Sequence, residues 1–332
     1  MGYIGTQKHG KQCQKPANKR YKHCTAEEAE TFERNSGIIR GNVHTAAYHA
    51  PGHIFYKAAP IMPNRKKMDV KVIERCGALG TSFKFNPKDY VGECYNMGNY
   101  KTALNRVLMQ MSMEKVPTLT RLDFKIDCNP PPELGMFWDK LNDLFVYAFM
   151  AYKKIQPKGR ERTTDPITGQ FKQTKGTTRG YEFAYYNKAI QKPEEGVARR
   201  TELRCLRLNT KAGARACDEW DAIDKLKTIV AAIPAYYEAA VSGQYKHLCM
   251  EYIKTEPTEG TRSPGEFLRA HADCVFSWEQ IKEFASFVGV RDAAKFAHNF
   301  TQRNPFVVLI DQSDLVKLCA VIIDLLERYE VE

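Results

Sequence analysis

Three short stretches hold side chains that could act together on a phosphodiester. They are Arg121-Leu122-Asp123-Phe124-Lys125-Ile126-Asp127, Tyr186-Asn187-Lys188 and Arg200-Thr201-Glu202-Leu203-Arg204. A tyrosine phenol is a competent covalent nucleophile once deprotonated or positioned. Lys188, two residues beyond Tyr186, could lower the phenol pKa or contact a phosphate oxygen. Asp123, Asp127 and Glu202 offer the oxygen ligands that a hard divalent ion takes. Such an ion polarises a phosphoryl oxygen and offsets charge in an in-line displacement. Arg121, Arg200 and Arg204 could grip flanking phosphates, two hydrogen bonds at a time. The blander reading is that these are cross-strand charge pairs on a half-exposed sheet, which are routine.

The elements that must position these residues are strands. From Leu119 to Cys128 the chain alternates: Leu122, Phe124, Ile126 and Cys128 face one way, Arg121, Asp123, Lys125 and Asp127 the other. Period two with aromatic and β-branched content predicts a half-buried strand. Asp123 and Asp127 then lie roughly 13 Å apart along it, too far to share a proton. Asp123 becomes the better metal ligand; Asp127, near the strand end, either joins it or orients it. Gly180–Lys188 predicts a second strand, with Glu182, Ala184, Tyr186 and Lys188 on one face and Tyr181, Phe183 and Tyr185 on the other. That parity favours Tyr186 over Tyr185 as the nucleophile. Ala198–Leu208 predicts a third, placing Glu202 between Arg200 and Arg204 on one face. In one antiparallel sheet these polar faces could converge.

Residues 68–76 and 81–85 read as two further strands, and Pro87 stops the second because proline cannot continue a ladder. Residues 37–58 carry short apolar and aromatic groups with His44, His49 and His53, read as surface or core histidines in a loop-rich sheet. Helical spacing predicts helices over 100–113 and 134–152. Beyond Thr210 strands give way to helical periodicity over 220–241, 245–254, 263–274, 277–288, 292–300 and 311–329. The segments around Gly289 have about the lengths of a helix-turn-helix, and a plain helical bundle is the favoured reading. The division predicted is a basic arm over 1–36, an antiparallel-sheet domain over 37–212 and a helical domain over 213–332. The fold class is α+β, an antiparallel sheet with helices on one face followed by a helical region.

The 332 residues carry a net charge of +11, which favours polyanionic partners, nucleic acid first. The ten cysteines are scattered singly without a CxxC pair, as in reduced thiols of a cytoplasmic protein, and no apolar run approaches a membrane span. Lys8, Lys11, Lys15, Lys19, Arg20 and Lys22 make the first segment either a phosphate-binding arm or a solvated tail.

Thr120-Arg121-Leu122-Asp123 with Asp127, then Tyr186-Asn187-Lys188, then Arg200-Thr201-Glu202-Leu203 resemble, in order and rough spacing, the Rep-trans replication initiators of rolling-circle plasmids, filamentous phages and conjugative elements. Phe85-Asn86-Pro87 resembles a further segment of that family, although Lys84 stands where some members have an acid. The resemblance covers roughly residues 70–210. It implies a nicking-enzyme-like sheet in which Tyr186 attacks a phosphodiester at the replication origin, leaving a 5′-phosphotyrosyl link and a free 3′-OH. It implies Mg2+ or Mn2+ held by Asp123 and Glu202 with Asp127. Origin DNA, as single strand or as cruciform or supercoiled duplex, is the partner; a host helicase and a second copy of the chain are further candidates. A reading from another class is a non-catalytic single-stranded nucleic-acid binder that stacks bases on Phe83, Phe85, Tyr181 and Tyr185 and uses the basic arm for phosphates.

Overall fold

The computed structural model describes residues 24–51, 70–75, 78–91, 96–111, 117–156, 159–164, 171–209, 217–259 and 263–331. The strands are β1 (Ile38–Pro51), β2 (Val70–Arg75), β3 (Ala78–Phe85), β4 (Thr118–Cys128), β5 (Arg160–Thr164), β6 (Phe171–Thr177), β7 (Tyr181–Asn187) and β8 (Arg199–Cys205). They form one sheet in the order β2-β3-β1-β4-β8-β7-β6-β5, and every pairing is antiparallel. The three strands that hold the candidate chemistry, β4, β8 and β7, are therefore adjacent.

The helices are α1 (Ala26–Asn35), α2 (Lys88–Val91), α3 (Met97–Met111), α4 (Gly135–Tyr152), α5 (Lys188–Gln191), α6 (Glu219–Ala232), α7 (Tyr237–Glu259), α8 (Pro264–Ala270), α9 (Trp278–Phe287), α10 (Ala293–Arg303) and α11 (Gln312–Glu330). The long ones cover one face of the sheet, which gives the α+β architecture of a sheet backed by helices. Phe183 of β7 stacks on Phe145 and Phe149 of α4, with ring centroids 5.7 and 4.0 Å apart. Phe124 of β4 meets Tyr329 of α11 edge to face. Phe85 of β3 meets Tyr100 of α3 in the same manner. Gly41 lets α11 come close to β1: a Cβ there would sit 3.1 Å from the Phe124 ring and 3.3 Å from Leu325 Cβ. Each large side chain fully withdrawn from water here contributes about 1.5–3 kcal/mol.

This core draws on both sides of residue 212. Ile223, Leu226 and Val230 of α6 and Leu318, Ile322 and Leu326 of α11 belong to the same cluster as Phe124, Phe183 and Leu203. A smaller second cluster lies within 248–307, built on Phe267, Leu268, Ile281, Phe284, Ala297 and Phe300. Lys140 of α4 bridges the two: its buried ammonium donates to the carbonyls of Ala272, Val275 and Val308.

Several local expectations change. Residues 38–51 are not loop-rich; they are one strand of 14 residues inside the sheet, between β3 and β4. Three register shifts along its pairing with β4 break the alternation that would have marked it. The helices predicted over 220–241 and 245–254 are divided elsewhere, because Pro234 lies in a 3-10 turn between α6 and α7. Within the segment predicted as a basic arm, Thr25 and Glu28 form a capping box that starts α1; residues 1–23, with the lysine-rich run, lie outside the described residues. The hairpin turn read at 165–169 also lies outside them. Among the described residues no helix is long and apolar enough to cross a membrane, and Cys24, Cys128, Cys205, Cys217, Cys249, Cys274 and Cys319 are free thiols.

Candidate active site

The face of the sheet turned away from the helices carries three rungs across β4, β8 and β7. The first joins Asp127, Arg200 and Tyr186; the second Lys125, Glu202 and Ala184; the third Asp123, Arg204 and Glu182. Strand β1 adds Arg40 beside Asp127 and Asn42 beside Lys125. Period-two alternation puts these residues on one face, and antiparallel register brings them opposite one another. Asp123, Asp127, Lys125, Arg200 and Glu202 are all buried. A buried charge persists only when paired, and each of these is.

Tyr186 donates its phenol hydrogen bond to Glu202 Oε1, one rung along. Ala184, directly opposite Glu202, puts no long side chain in competition for that carboxylate. Burial and then the neighbouring Glu202 charge push the Tyr186 phenol well above its ordinary value, so it is neutral at neutral pH. Burial alone would push Glu202 up. The Arg204 guanidinium and the Tyr186 hydrogen bond outweigh it and hold Glu202 below the usual range. Glu202 is thus an ionised acceptor within hydrogen-bond reach of the phenol's proton, the geometry a general base requires, while the lowered carboxyl and raised phenol keep that proton on the tyrosine in the resting site. Tyr185 faces the helices instead and donates to Asp139 of α4, which also takes two hydrogen bonds from Arg199. The parity argument for Tyr186 agrees with this placement.

Asp127 is gripped from three sides. Arg200 bonds both its oxygens, with Nη2 3.1 Å from Oδ2, while Arg40 Nε lies at 3.1 Å and Lys125 Nζ at 3.3 Å. Burial would raise this carboxyl, but Arg200 and Lys125 hold it below its ordinary value. Asp123 takes a bidentate pair from Arg121 at 2.7 and 2.6 Å, with Arg204 Nε 3.8 Å away. Here burial wins, and the carboxyl is raised despite Arg121. Arg204 also donates to Glu182 and Glu202.

These pairings decide the fit of a divalent ion. Among the described residues no group of three or more His, Cys, Asp or Glu side chains is placed to share one metal. Both oxygens of Asp123, Asp127 and Glu202 are taken by guanidinium or phenol donors. With Arg121, Arg200 and Arg204 held against these oxygens and no three acids gathered at one point among the described residues, the three carboxylates, as arranged, do not fit a divalent ion.

Lys188 departs from its predicted place. The strand ends at Asn187, whose side chain caps α5, and Lys188 is the first residue of that helix. Its ammonium pairs with Glu195 at 3.2 Å rather than with the Tyr186 phenol. Glu195, which no motif in the sequence points to, also accepts from Arg200 at 3.3 Å. His44, read from the sequence as a surface or core histidine, comes to the same face. It is the extra residue of the register shift between Val43 and Thr45, and its Nδ1 lies 2.9 Å from Thr45 Oγ1. Burial, with Lys125 and Arg200 beside it and against the pull of Glu202, brings its pKa down to about 4. The parity of a strand with an extra residue cannot be read from spacing, which is why this placement went unseen. His49 instead pairs with Ser82 at 3.0 Å, and His53 lies outside the described residues.

The aromatic residues of the stacking alternative are placed against it. Phe83, Phe85 and Tyr185 are buried under the helices, and Tyr181 is half-buried beneath the Lys153 ammonium, 4.6 Å from its ring centroid.

No protein-family model matches the chain, and no curated protein matches it. Among solved structures, a rolling-circle replication initiator protein from Geobacillus stearothermophilus aligns over 56% of this chain and 78% of that one, at 11% identity and a TM-score of 0.29. A likeness at that score carries no argument.

Proposed function

We propose that the chain nicks and rejoins single DNA strands to start rolling-circle replication, with Tyr186 as the nucleophile and Glu202 as the base that activates it. The observation that carries this reading is the Tyr186–Glu202 hydrogen bond inside a buried face flanked by Arg200 and Arg204. Asp127 and Arg200, 73 residues apart in the chain, meet there in register.

In the cleavage step the Tyr186 oxygen attacks phosphorus as its proton passes to Glu202. The bond from phosphorus to the 3′ oxygen breaks; that oxygen leaves with the bonding pair and takes a proton from water. The product is a 5′-phosphotyrosyl link. Arg200 and Arg204 offset the charge that accumulates on the phosphoryl oxygens. Joining is the reverse. The carboxylates that the resemblance assigns to a divalent ion are engaged by Arg121, Arg200 and Arg204, and each step uses the chain's own side chains.

The test is a 3′-labelled single-stranded DNA pool incubated with the purified protein, with magnesium, with manganese and with a chelator. A labelled band at the protein's mass, resistant to denaturant, is expected from the parent and from Tyr185→Phe but not from Tyr186→Phe. An adduct that persists in Tyr186→Phe sinks the assignment.

A further inference from the structure

Helix α10 presents a face that nothing in the cleavage site uses. Its inner side is apolar: Ala297 and Phe300 are buried and Phe296 is half-buried. On the opposite side Ala294, Lys295, His298 and Gln302 are exposed, spaced so that they fall within one stripe. The stripe is about 12 Å long, the rise of eight helical residues. Arg291 just before the helix and Arg303 at its end are also exposed. Arg269 of α8 lies beside the inner, Phe300 side of α10 rather than on this stripe: a Cβ at Gly265 would sit within 4 Å of both the Arg269 guanidinium and the Phe300 ring.

Two features separate this surface from ordinary solvated helix. The first is its charge. From 291 to 303 the sole acid is Asp292, and its carboxylate is committed to capping the helix through Lys295 N at 3.0 Å. The second is pairing. Elsewhere Lys227, Lys254, Lys282 and Arg328 each hold a carboxylate three or four residues away. Arg269, Arg291, Lys295 and Arg303 have no ion pair among the described residues. The helix is also presented by a short connection: α9 ends at Phe287, Gly289 takes a positive φ of 79° in the turn, and α10 begins at Ala293. Two packed helices joined by a brief glycine turn form a helix-turn-helix unit.

We infer that α10 is a major-groove reading helix for duplex DNA. An α-helix fits the major groove. Lysine and glutamine are donors that address guanine and adenine edges there, and a small apolar side chain such as Ala294 suits the thymine methyl. The exposed Arg291 and Arg303, at the two ends of the helix, would meet phosphates, the contacts that fix register. An acidic protein partner would satisfy the charge but would not require an acid-free stripe of base-reading types. This inference stands apart from the strand-cleavage reading, because it concerns another lobe and another form of DNA.

The test uses the full chain and a mixed-sequence 30-bp duplex, followed by fluorescence anisotropy over a salt series. The double variant Lys295→Glu/Arg303→Glu is expected to lose about tenfold or more in duplex affinity and to show a salt slope shallower by about 2. Its melting temperature and its single-strand cleavage should match the parent, since both side chains are exposed. In selection from a randomised duplex pool, His298→Ala/Gln302→Ala should lose or change the sequence preference of the parent. The inference is overturned if parent and charge-reversed protein bind duplex within twofold of each other, if the parent binds only single strands, or if the selected sequences are the same with and without His298 and Gln302. Loss of strand cleavage in Tyr186→Phe with duplex binding intact would leave this inference standing, and the converse result would leave the cleavage reading standing.

Discussion

The phenol of Tyr186 is hydrogen-bonded to the carboxylate of Glu202, and the same carboxylate takes a hydrogen bond from Arg204. One acceptor therefore serves a proton it can remove and a cation that keeps it ionised. Glu202→Gln keeps the shape and loses both functions. Adduct formation should slow by about 10²–10⁴-fold. In the parent the rate should fall as pH drops through the depressed pKa of Glu202, and in the variant that limb should vanish. Equal rates for parent and Glu202→Gln across the pH range would assign the base elsewhere.

Asp123 and Asp127 share a strand face but differ in sign. The folded pKa of Asp127 is lowered, so its stabilisation is present above the ordinary carboxylate range and lost as pH falls through its own lower pKa. The folded pKa of Asp123 is raised, so ionising it costs stability as pH rises through that range. Asp127→Asn leaves the buried Arg200 short of its counter-charge and should cost about 3–5 kcal/mol. Asp123→Asn leaves Arg121, whose side chain is 34% exposed, to be solvated, and should fall within about 1 kcal/mol of the parent at neutral pH. Denaturant midpoints at pH 7 check both; equal losses would refute the contrast.

His44 gives a separate pH window. Its pKa falls from 6.5 to about 4 on folding, so between those values the unfolded chain binds the proton and the folded one does not. Stability should drop as pH is lowered through that window, by roughly 2–4 kcal/mol at most. His44→Gln should flatten this part of the profile and leave the limb below pH 4 in place. A profile unchanged by the substitution would mean that the imidazole is solvated.

The arginines compete with any metal for the same oxygens. Arg204→Gln frees one oxygen of Glu202 and removes the nearby charge from Asp123. Manganese affinity, followed by calorimetry or electron paramagnetic resonance, should rise by about tenfold over the parent, as removing a like charge from a carboxylate site predicts. No gain in affinity would show that the guanidinium is not what keeps the ion away.

How much of this was legible in the sequence depended on alternation. From Leu122 to Cys128 in β4, and through β7 and β8, residue types alternate along the sequence and the pairing between these strands is unshifted, so the facing of Asp123, Glu202 and Tyr186 could be read before the sheet was known. Their neighbours could not, because strand order is set by packing: nothing near Asp127 in sequence announces Arg200 or Arg40. The Lys188 prediction extended the β7 period by one residue too many. Asn187, a residue that favours caps, ended the strand by bonding Ile190 N. In the helical third the periodicity was correct in kind, while Pro234 moved the boundary. The division near residue 212 followed a change in period, yet α6 and α11 bury their apolar stripes on the sheet itself.

The extra residue at His44 has a further implication. Val43 lies on the helix-packed face and Thr45 faces Asp123, so removing His44 would leave these two as ordinary alternating neighbours. Every other β1–β4 pair would keep its partner. Of the three places where the β1–β4 register shifts, this one delivers an imidazole among Glu202, Lys125 and Arg200. A single-codon deletion there is a clean excision: it subtracts a ring from the reactive face and leaves the architecture its full complement of rungs.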